Sequence, residues 1–237
     1  MKTAVNHRVL GRALCAFGTL TLVSMSKPAH AIEVGAGLMG IAGGNFQSKP
    51  DRSNLDPDVN PGFGGLTIGG GLMLDARFLN MIGLEVDIIR SSDHGKGTYT
   101  INGQENKITI GQGAWHIPIL AKLTFPSPLV APAIFLGPEI VAPSKAGVSV
   151  DPSVAQLGFA QTSDTYVMFT FGAGVEIKLP LPVIDLRIPI GIRGSYAPGV
   201  DSSFSKRTTL SAGAPFVTYR SEWQYAVNAT LGAAIYF

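Results

Sequence analysis

The chain has 237 residues, a formal net charge of +2, and 14% charged against 46% hydrophobic residues. Near-neutral charge excludes the electrostatic footprint of a nucleic-acid-binding protein. The single cysteine, Cys15, lies in an N-terminal apolar stretch, so the rest of the chain has no disulfide, thiol catalysis or cysteine-based metal site.

Lys2, Arg8 and Arg12 make a basic start, followed by an apolar stretch at 13–25. A helix across a bilayer needs about 20 apolar residues, so this stretch is too short to span. Ala29-His30-Ala31 then offers a small-x-small cleavage site. Residues 1–31 read as a secretory signal peptide and 32–237 as one mature domain. Cys15 comes too early, and lacks the preceding small residues, for a lipoprotein anchor. The later apolar run at 129–142 is broken by Pro132, Pro138 and Glu139. An exported chain without a spanning helix crosses a membrane only as a closed barrel.

From residue 32 onward, apolar and polar residues alternate with a period of two, the mark of a strand with one apolar face. The segments fall near 32–43, 65–79, 82–91, 107–125, 133–142, 166–179, 184–196 and 222–237. Long connections (45–64, 92–106, 145–165, 197–221) alternate with short ones (80–81, 126–132, 180–183). This is the layout of an all-β, transmembrane, up-and-down antiparallel barrel with long extracellular loops and short periplasmic turns. Residues 98–103 read as a strand entering an Asn102-Gly103 turn. Either the third and fourth strands extend as a hairpin beyond the membrane or ten strands exist; eight is the preferred reading. Pro118, Pro138 and Pro189 fall inside strands, where each loses a ladder hydrogen bond, and local bulges are expected there.

The faces of these strands decide which side meets lipid. In 184–196, Ile184, Leu186, Ile188, Ile190 and Ile192 oppose Asp185, Arg187, Arg193 and Ser195. In 107–125, Trp115, Ile117, Ile119 and Leu123 oppose His116 and Lys122. A lipid-facing Lys or Arg costs about 2–4 kcal/mol at the bilayer midplane. The charged face therefore points inward. The expected lumen network is Asp75, Arg77, Glu85, Asp87, His116, Lys122, Glu139, Glu176, Lys178, Asp185, Arg187 and Arg193, with Glu33 beside it. An eight-stranded barrel is just wide enough for such side chains to fill it. Aromatic girdles are expected at Trp115, Trp223 and Tyr225 near the outer rim and at Phe78, Phe125 and Phe237 near the inner rim. Arg90 breaks the rule by lying on lipid parity. Its place at the outer end of its strand lets it meet solvent or a lipopolysaccharide phosphate.

Three motifs are discounted. Gly35-Ala36-Gly37-Leu38-Met39-Gly40 matches a dinucleotide fingerprint, but glycines and a Pro/Asp-rich loop follow it instead of a helix. Asp56-Pro57-Asp58-Val59-Asn60 starts like a calcium loop, but Pro61 stands at the glycine position and Thr67 at the closing glutamate. His94 and His116 have Lys96 and Pro118, not serine, two residues on, so no local nucleophile pairs with either. No catalytic, metal or cofactor site is expected.

Ile117-Pro118-Ile119-Leu120-Ala121-Lys122 resembles the "I-P-L-L-x-K" strand of the outer-membrane β-barrel domain family (porin-family small barrels, PorT-like). Residues 133–138, ending in Gly137-Pro138, resemble that family's next strand. Gly172-Ala173-Gly174-Val175-Glu176 resembles its "G-x-G-x-E" strand, and the final strand resembles its closing strand ending in Phe. The resemblance implies an integral barrel of a Gram-negative outer membrane, inserted by the barrel-assembly machinery with periplasmic chaperones, and no defined substrate. Outer-membrane lipid and lipopolysaccharide are the expected surroundings, and no nucleic-acid partner is expected. The leading expectation is a non-enzymatic barrel with a closed charged lumen and loops for envelope integrity or surface binding. The alternative is a narrow pore or small-molecule transporter. Basic loop residues Lys49, Arg52, Lys96, Lys145, Lys206, Arg207 and Arg220 are candidates to meet lipopolysaccharide, or are simply solvated.

Overall fold

The computed structural model describes residues 32–46, 59–101, 104–144, 147–150, 158–162, 164–181, 184–200, 207–209, 215–220 and 222–237. The signal-peptide reading, residues 56–58 of the calcium-like stretch, and Lys49, Arg52, Lys145 and Lys206 lie outside them. The described elements are β1 (Ile32–Phe46), β2 (Val59–Phe78), β3 (Ile82–Ile101), β4 (Gln104–Thr124), β5 (Val130–Pro143), β6 (Gly147–Val150), β7 (Gly158–Thr162), β8 (Tyr166–Pro180), β9 (Asp185–Tyr196), β10 (Arg207–Thr209), β11 (Pro215–Arg220) and β12 (Tyr225–Tyr236).

Eight of these close on themselves in the order β1-β2-β3-β4-β5-β8-β9-β12 and back to β1, every pair antiparallel. Closure leaves no sheet edge, so every strand finds two partners for its backbone. The closing seam runs from Gly35↔Tyr236 to Phe46↔Tyr225. It even takes in the last residue: Phe237 N–H donates to the Val34 carbonyl at 2.9 Å. Between β2 and β3 the chain turns through Leu79 and Asn80, both left-handed (φ 51° and 59°), and Met81 N–H donates to the Phe78 carbonyl at 3.1 Å.

Burial is inverted relative to a soluble protein. Leu38 is 65% exposed, Ile192 64% and Phe237 83%, whereas Asp75, Arg77 and Asp87 are at most 2% exposed. The apolar side chains form the outer wall and the charges fill the inside, as the strand faces require.

β2, β3 and β4 run beyond the other barrel strands, and β3 and β4 stay paired to Ile101↔Gln104. They are one long hairpin, not an extra pair of barrel strands; Asn102-Gly103 itself lies outside the described residues. Short β6 joins the outer part of β4 (Ile108↔Val150), and β10, β11 and β7 make a separate small sheet in which β11 and β7 are parallel.

The bulges expected at Pro118, Pro138 and Pro189 are absent. Register is constant across all three; the ladder merely skips beside them, from Val86↔Ile119 to Ile89↔His116, from Pro118↔Glu139 to Ala121↔Leu136 and from Leu231↔Ile190 to Ala234↔Arg187. A missing N–H opens the ladder locally without inserting a residue. The register shift that does occur among the described strands lies between Asn60 and Gly64, where Pro61 sits.

Glycine is required where neighbouring backbone comes too close for a side chain. A Cβ at Gly71 would fall 1.8 Å from the Ile88 carbonyl oxygen, whereas one at Gly111 would meet nothing within 4 Å. Gly71→Ala is expected to lower the stability of the refolded barrel by about 1–3 kcal/mol, as overpacking does. Gly111→Ala should change it by less than about 0.5 kcal/mol. Urea unfolding followed by the heat-dependent shift on a gel measures both.

Candidate functional site

The inner half of the lumen holds one continuous charge cluster. Alternation along β2, β3, β4, β8 and β9 points Asp75, Arg77, Glu85, Asp87, Lys122, Glu176 and Arg193 to the axis, where all are buried. The Arg77 guanidinium donates to Glu176 at 2.7 Å and to Asp75 at 3.0 Å. Lys122 Nζ reaches Asp75 at 3.0 Å and Glu176 at 2.8 Å, and also pairs with Glu85. Arg193 bridges Glu85 and Asp87, each at 2.6 Å. Tyr236 of the closing strand donates its hydroxyl to Asp75 at 2.7 Å and lies under the Arg187 guanidinium, 3.9 Å from ring centroid to Cζ. A gap of about 20 Å³ bordered by Met39, Glu85, Lys122, Phe135 and Arg193 has room for a single water.

The inner rim is looser. Arg187 pairs with Glu33 at 2.9 Å and Asp185 at 2.6 Å. The Asp185 side chain is 43% exposed, and Lys178 is half-buried opposite Arg187. These two predicted lumen residues stand at the rim, not in the closed interior.

A second polar cluster lies further out. His116 Nδ1 is 2.6 Å from Glu139 Oε1 and its Nε2 is 3.0 Å from Ser91 Oγ. Glu139 Oε2 also accepts from Ser195 at 3.1 Å and from Thr170. The order Ser–His–Glu imitates a hydrolytic triad, which also needs donors for the developing oxyanion. Ser91 is 3% exposed and both Ser91 and His116 sit in the paired β3–β4 ladder (Ser91↔Ala114, Ile89↔His116). An apolar layer of Met39, Ile41, Met73 and Ile89 packs inside the barrel beside these clusters.

Trp223 corrects one expectation. Parity in the sequence puts it in the outer lipid-facing girdle, but it is 3% exposed and fills the mouth of the barrel from inside. The strand begins at Tyr225, so the bend at Gln224 takes residues 222–223 out of the alternation. Trp223 Nε1 donates to Asp93 at 3.1 Å, its backbone N–H donates to the Tyr166 hydroxyl at 3.1 Å, and its ring lies over Gly95. The remaining girdle residues Trp115, Tyr225, Phe78, Phe125 and Phe237 are exposed on the outer wall. Tyr196, stacked on Tyr225 at 5.2 Å, stands with them.

The family model described as the outer membrane protein beta-barrel domain matches residues 15–213, most of the chain. The chain belongs to this family. Among solved structures it is similar to the N-terminal β-barrel domain of Pseudomonas aeruginosa OprF, at 13% identity over 85% of this chain and 97% of that one, TM-score 0.33. It is similar to Neisserial surface protein A, at 13% identity over 88% and 99%, TM-score 0.39. It is also similar to Ail, the attachment invasion locus protein of Yersinia pestis, solved with the heparin analogue sucrose octasulfate, at 14% identity over 86% and 99%, TM-score 0.39. No curated protein matches the chain.

As an outer membrane β-barrel domain, the protein faces lipid with its apolar wall, and the inward residues form its core. The charge network read from the sequence leaves out Ser91, Asp93, Thr170 and Tyr236, although parity puts Thr170 and Tyr236 on the inward face. Ser91 and Asp93 extend the same inward parity as Glu85 and Asp87; Ser91 closes the strand read from the sequence, and Asp93 falls just beyond its end, so the signal for both is in β3. The pairing of Ser91 with His116 depends on the register between β3 and β4, which no spacing within one strand reveals.

Asp93 is buried with Thr67 and Trp223 as hydrogen-bond donors. Trp223→Phe removes one donor while keeping most of the ring. It is expected to destabilise the barrel by about 1–3 kcal/mol. Asp93→Asn in the same background should recover part of that loss, both read from urea midpoints.

Proposed function

We propose that this protein is a non-enzymatic, integral outer-membrane barrel whose lumen is closed and whose extracellular loops carry its biological contacts. The observation that supports this reading best is the cross-lumen bridging by Arg77, Lys122 and Arg193. Arg77 and Lys122 each join carboxylates from different strands, Arg193 ties β9 to two carboxylates of β3 across the lumen, and the gap beside Lys122 and Arg193 is the size of a single water. The Trp223 ring in the mouth adds a second obstruction.

A hydrolytic reading of Ser91, His116 and Glu139 is less well supported. The serine is buried, and the second oxygen of Glu139 is taken up by Thr170 and Ser195, as in a structural network. Function in such a barrel sits on loops held by a rigid scaffold. Outer-membrane lipopolysaccharide, and the barrel-assembly machinery and chaperones during biogenesis, are the partners this reading implies.

The mature chain, refolded and inserted in a planar bilayer, is expected to give no discrete openings. Reproducible single-channel steps, with ion selectivity that changes on Arg193→Gln, would instead establish the narrow-pore reading.

A further inference from the structure

The outer wall of β3 and β4 changes chemistry abruptly near the outer rim. Toward the inner rim from Trp115 it is apolar, with Leu84, Ile88 and Ile119 exposed. From Arg90 outward it carries Arg90, His94, Lys96 and Lys107, all exposed and all on the lipid-facing parity. No carboxylate shares this face among its described side chains; Asp93 points inward.

Arg90 is held in place. Its Cζ lies 5.4 Å from the Trp115 ring centroid, and Nη2 donates to Ser144 Oγ at 2.8 Å. The guanidinium thus reaches from β3 across β4 to the end of β5. Gly113 makes the crossing possible, because a Cβ there would come within 2.5 Å of Nη2. An arginine oriented by an aromatic ring presents a planar fork suited to phosphate. Its neighbour Trp115 marks the level at which lipid headgroups lie. Opposite Arg90 the register continues through His94↔Gly111, Lys96↔Thr109 and Thr98↔Lys107, so Lys96 and Lys107 form an outer basic pole. At about 3.3 Å per residue, Arg90 and Lys96 are roughly 20 Å apart along the strand. One phosphodiester meets one pole only, whereas a lipid with two or more phosphates meets both.

The geometry points to this wall, from Arg90 and Trp115 to Lys96 and Lys107, as a binding site for the bisphosphorylated lipid A portion of lipopolysaccharide. The inference rests on the proposed integral outer-membrane placement and deepens it by naming the lipid and its contacts. Charge complementarity supplies the attraction, Trp115 packs at the interface, and the separation of the two poles selects against single-phosphate lipids.

The test uses the full mature chain refolded in zwitterionic micelles, titrated separately with bisphosphorylated lipid A, dephosphorylated lipid A and phosphatidylglycerol. Trp115 emission is the readout, and Trp223, buried in the mouth, gives a constant background. Bisphosphorylated lipid A should shift the emission saturably, and the other two lipids should bind at least about tenfold more weakly, as loss of one charged pole implies. The variant R90Q/K96Q/K107Q should lose roughly 100-fold in affinity, the equivalent of three interfacial cations. The pair K96Q/K107Q, confined to the exposed outer pole, should lose roughly 30-fold and serves if the triple variant does not fold. Equal binding of dephosphorylated lipid A or of phosphatidylglycerol overturns the proposal, as does wild-type affinity in either variant. Channel silence is measured in a separate assay, so failure of the lipid site and failure of the closed-barrel reading are told apart.

Discussion

Four carboxylates and three cations meet across the inner half of this barrel, and the rest of the structure depends on their matching. Asp75, Glu85, Asp87 and Glu176 come from β2, β3 and β8; Arg77, Lys122 and Arg193 come from β2, β4 and β9. Taking such ions out of water costs several kcal/mol each even after relaxation. Only mutual pairing with good geometry offsets that penalty. Arg77 and Lys122 each touch carboxylates on more than one strand, and Arg193 ties β9 to two carboxylates of β3, so the pairing fixes how the strands stand around the axis as well as which strands are neighbours. An apolar filling would leave more room for strands to slide, whereas each of these charges has one place to go.

The outer wall follows from the same constraint. Once the charges are inside, alternation sends Leu38, Leu72, Ile192 and Leu231 outward, where lipid receives them. Backbone groups have no water to meet at that depth, so the sheet must close, and the bond from Phe237 N–H to the Val34 carbonyl shows how complete the seam is. The exterior then divides by depth: an apolar band bounded by aromatics, and beyond Trp115 a basic wall on β3 and β4. Interior and exterior thus carry opposite chemistry on alternate residues of the same strands, and each strand serves structure on one side and its surroundings on the other.

Much of this was legible in the sequence because a period of two is a direct record of which residue faces which medium. The eight strands and the inward direction of Arg77, Lys122, Glu176 and Arg193 follow from parity, and the up-and-down order follows from the alternation of long and short connections. Parity fails where the chain leaves the strand. Trp223 stands one bend before β12, so counting back from Tyr225 sends it to the wrong side. Parity also says nothing about height. Ser91 finds His116, and Arg90 finds Ser144, through the register between strands and the reach of long side chains. The prolines show the same limit: Pro118, Pro138 and Pro189 suggest bulges, but a closed sheet tolerates a lost hydrogen bond more readily than an inserted residue, which would turn the inward charges beyond it on that strand to the lipid side.

The account stands most directly on the coupling between Lys122 and Glu85. Urea unfolding of the refolded barrel should be measured for Lys122→Met, Glu85→Gln and the double variant. Lys122→Met alone leaves buried carboxylates short of a partner and is expected to destabilise by about 3–5 kcal/mol. The double variant should be at least about 1 kcal/mol more stable than the sum of the single losses predicts, because contacting members of one network do not add. Additive losses, or a Lys122→Met barrel as stable as the wild type, would mean that the charges do not form the core on which the strands are arranged.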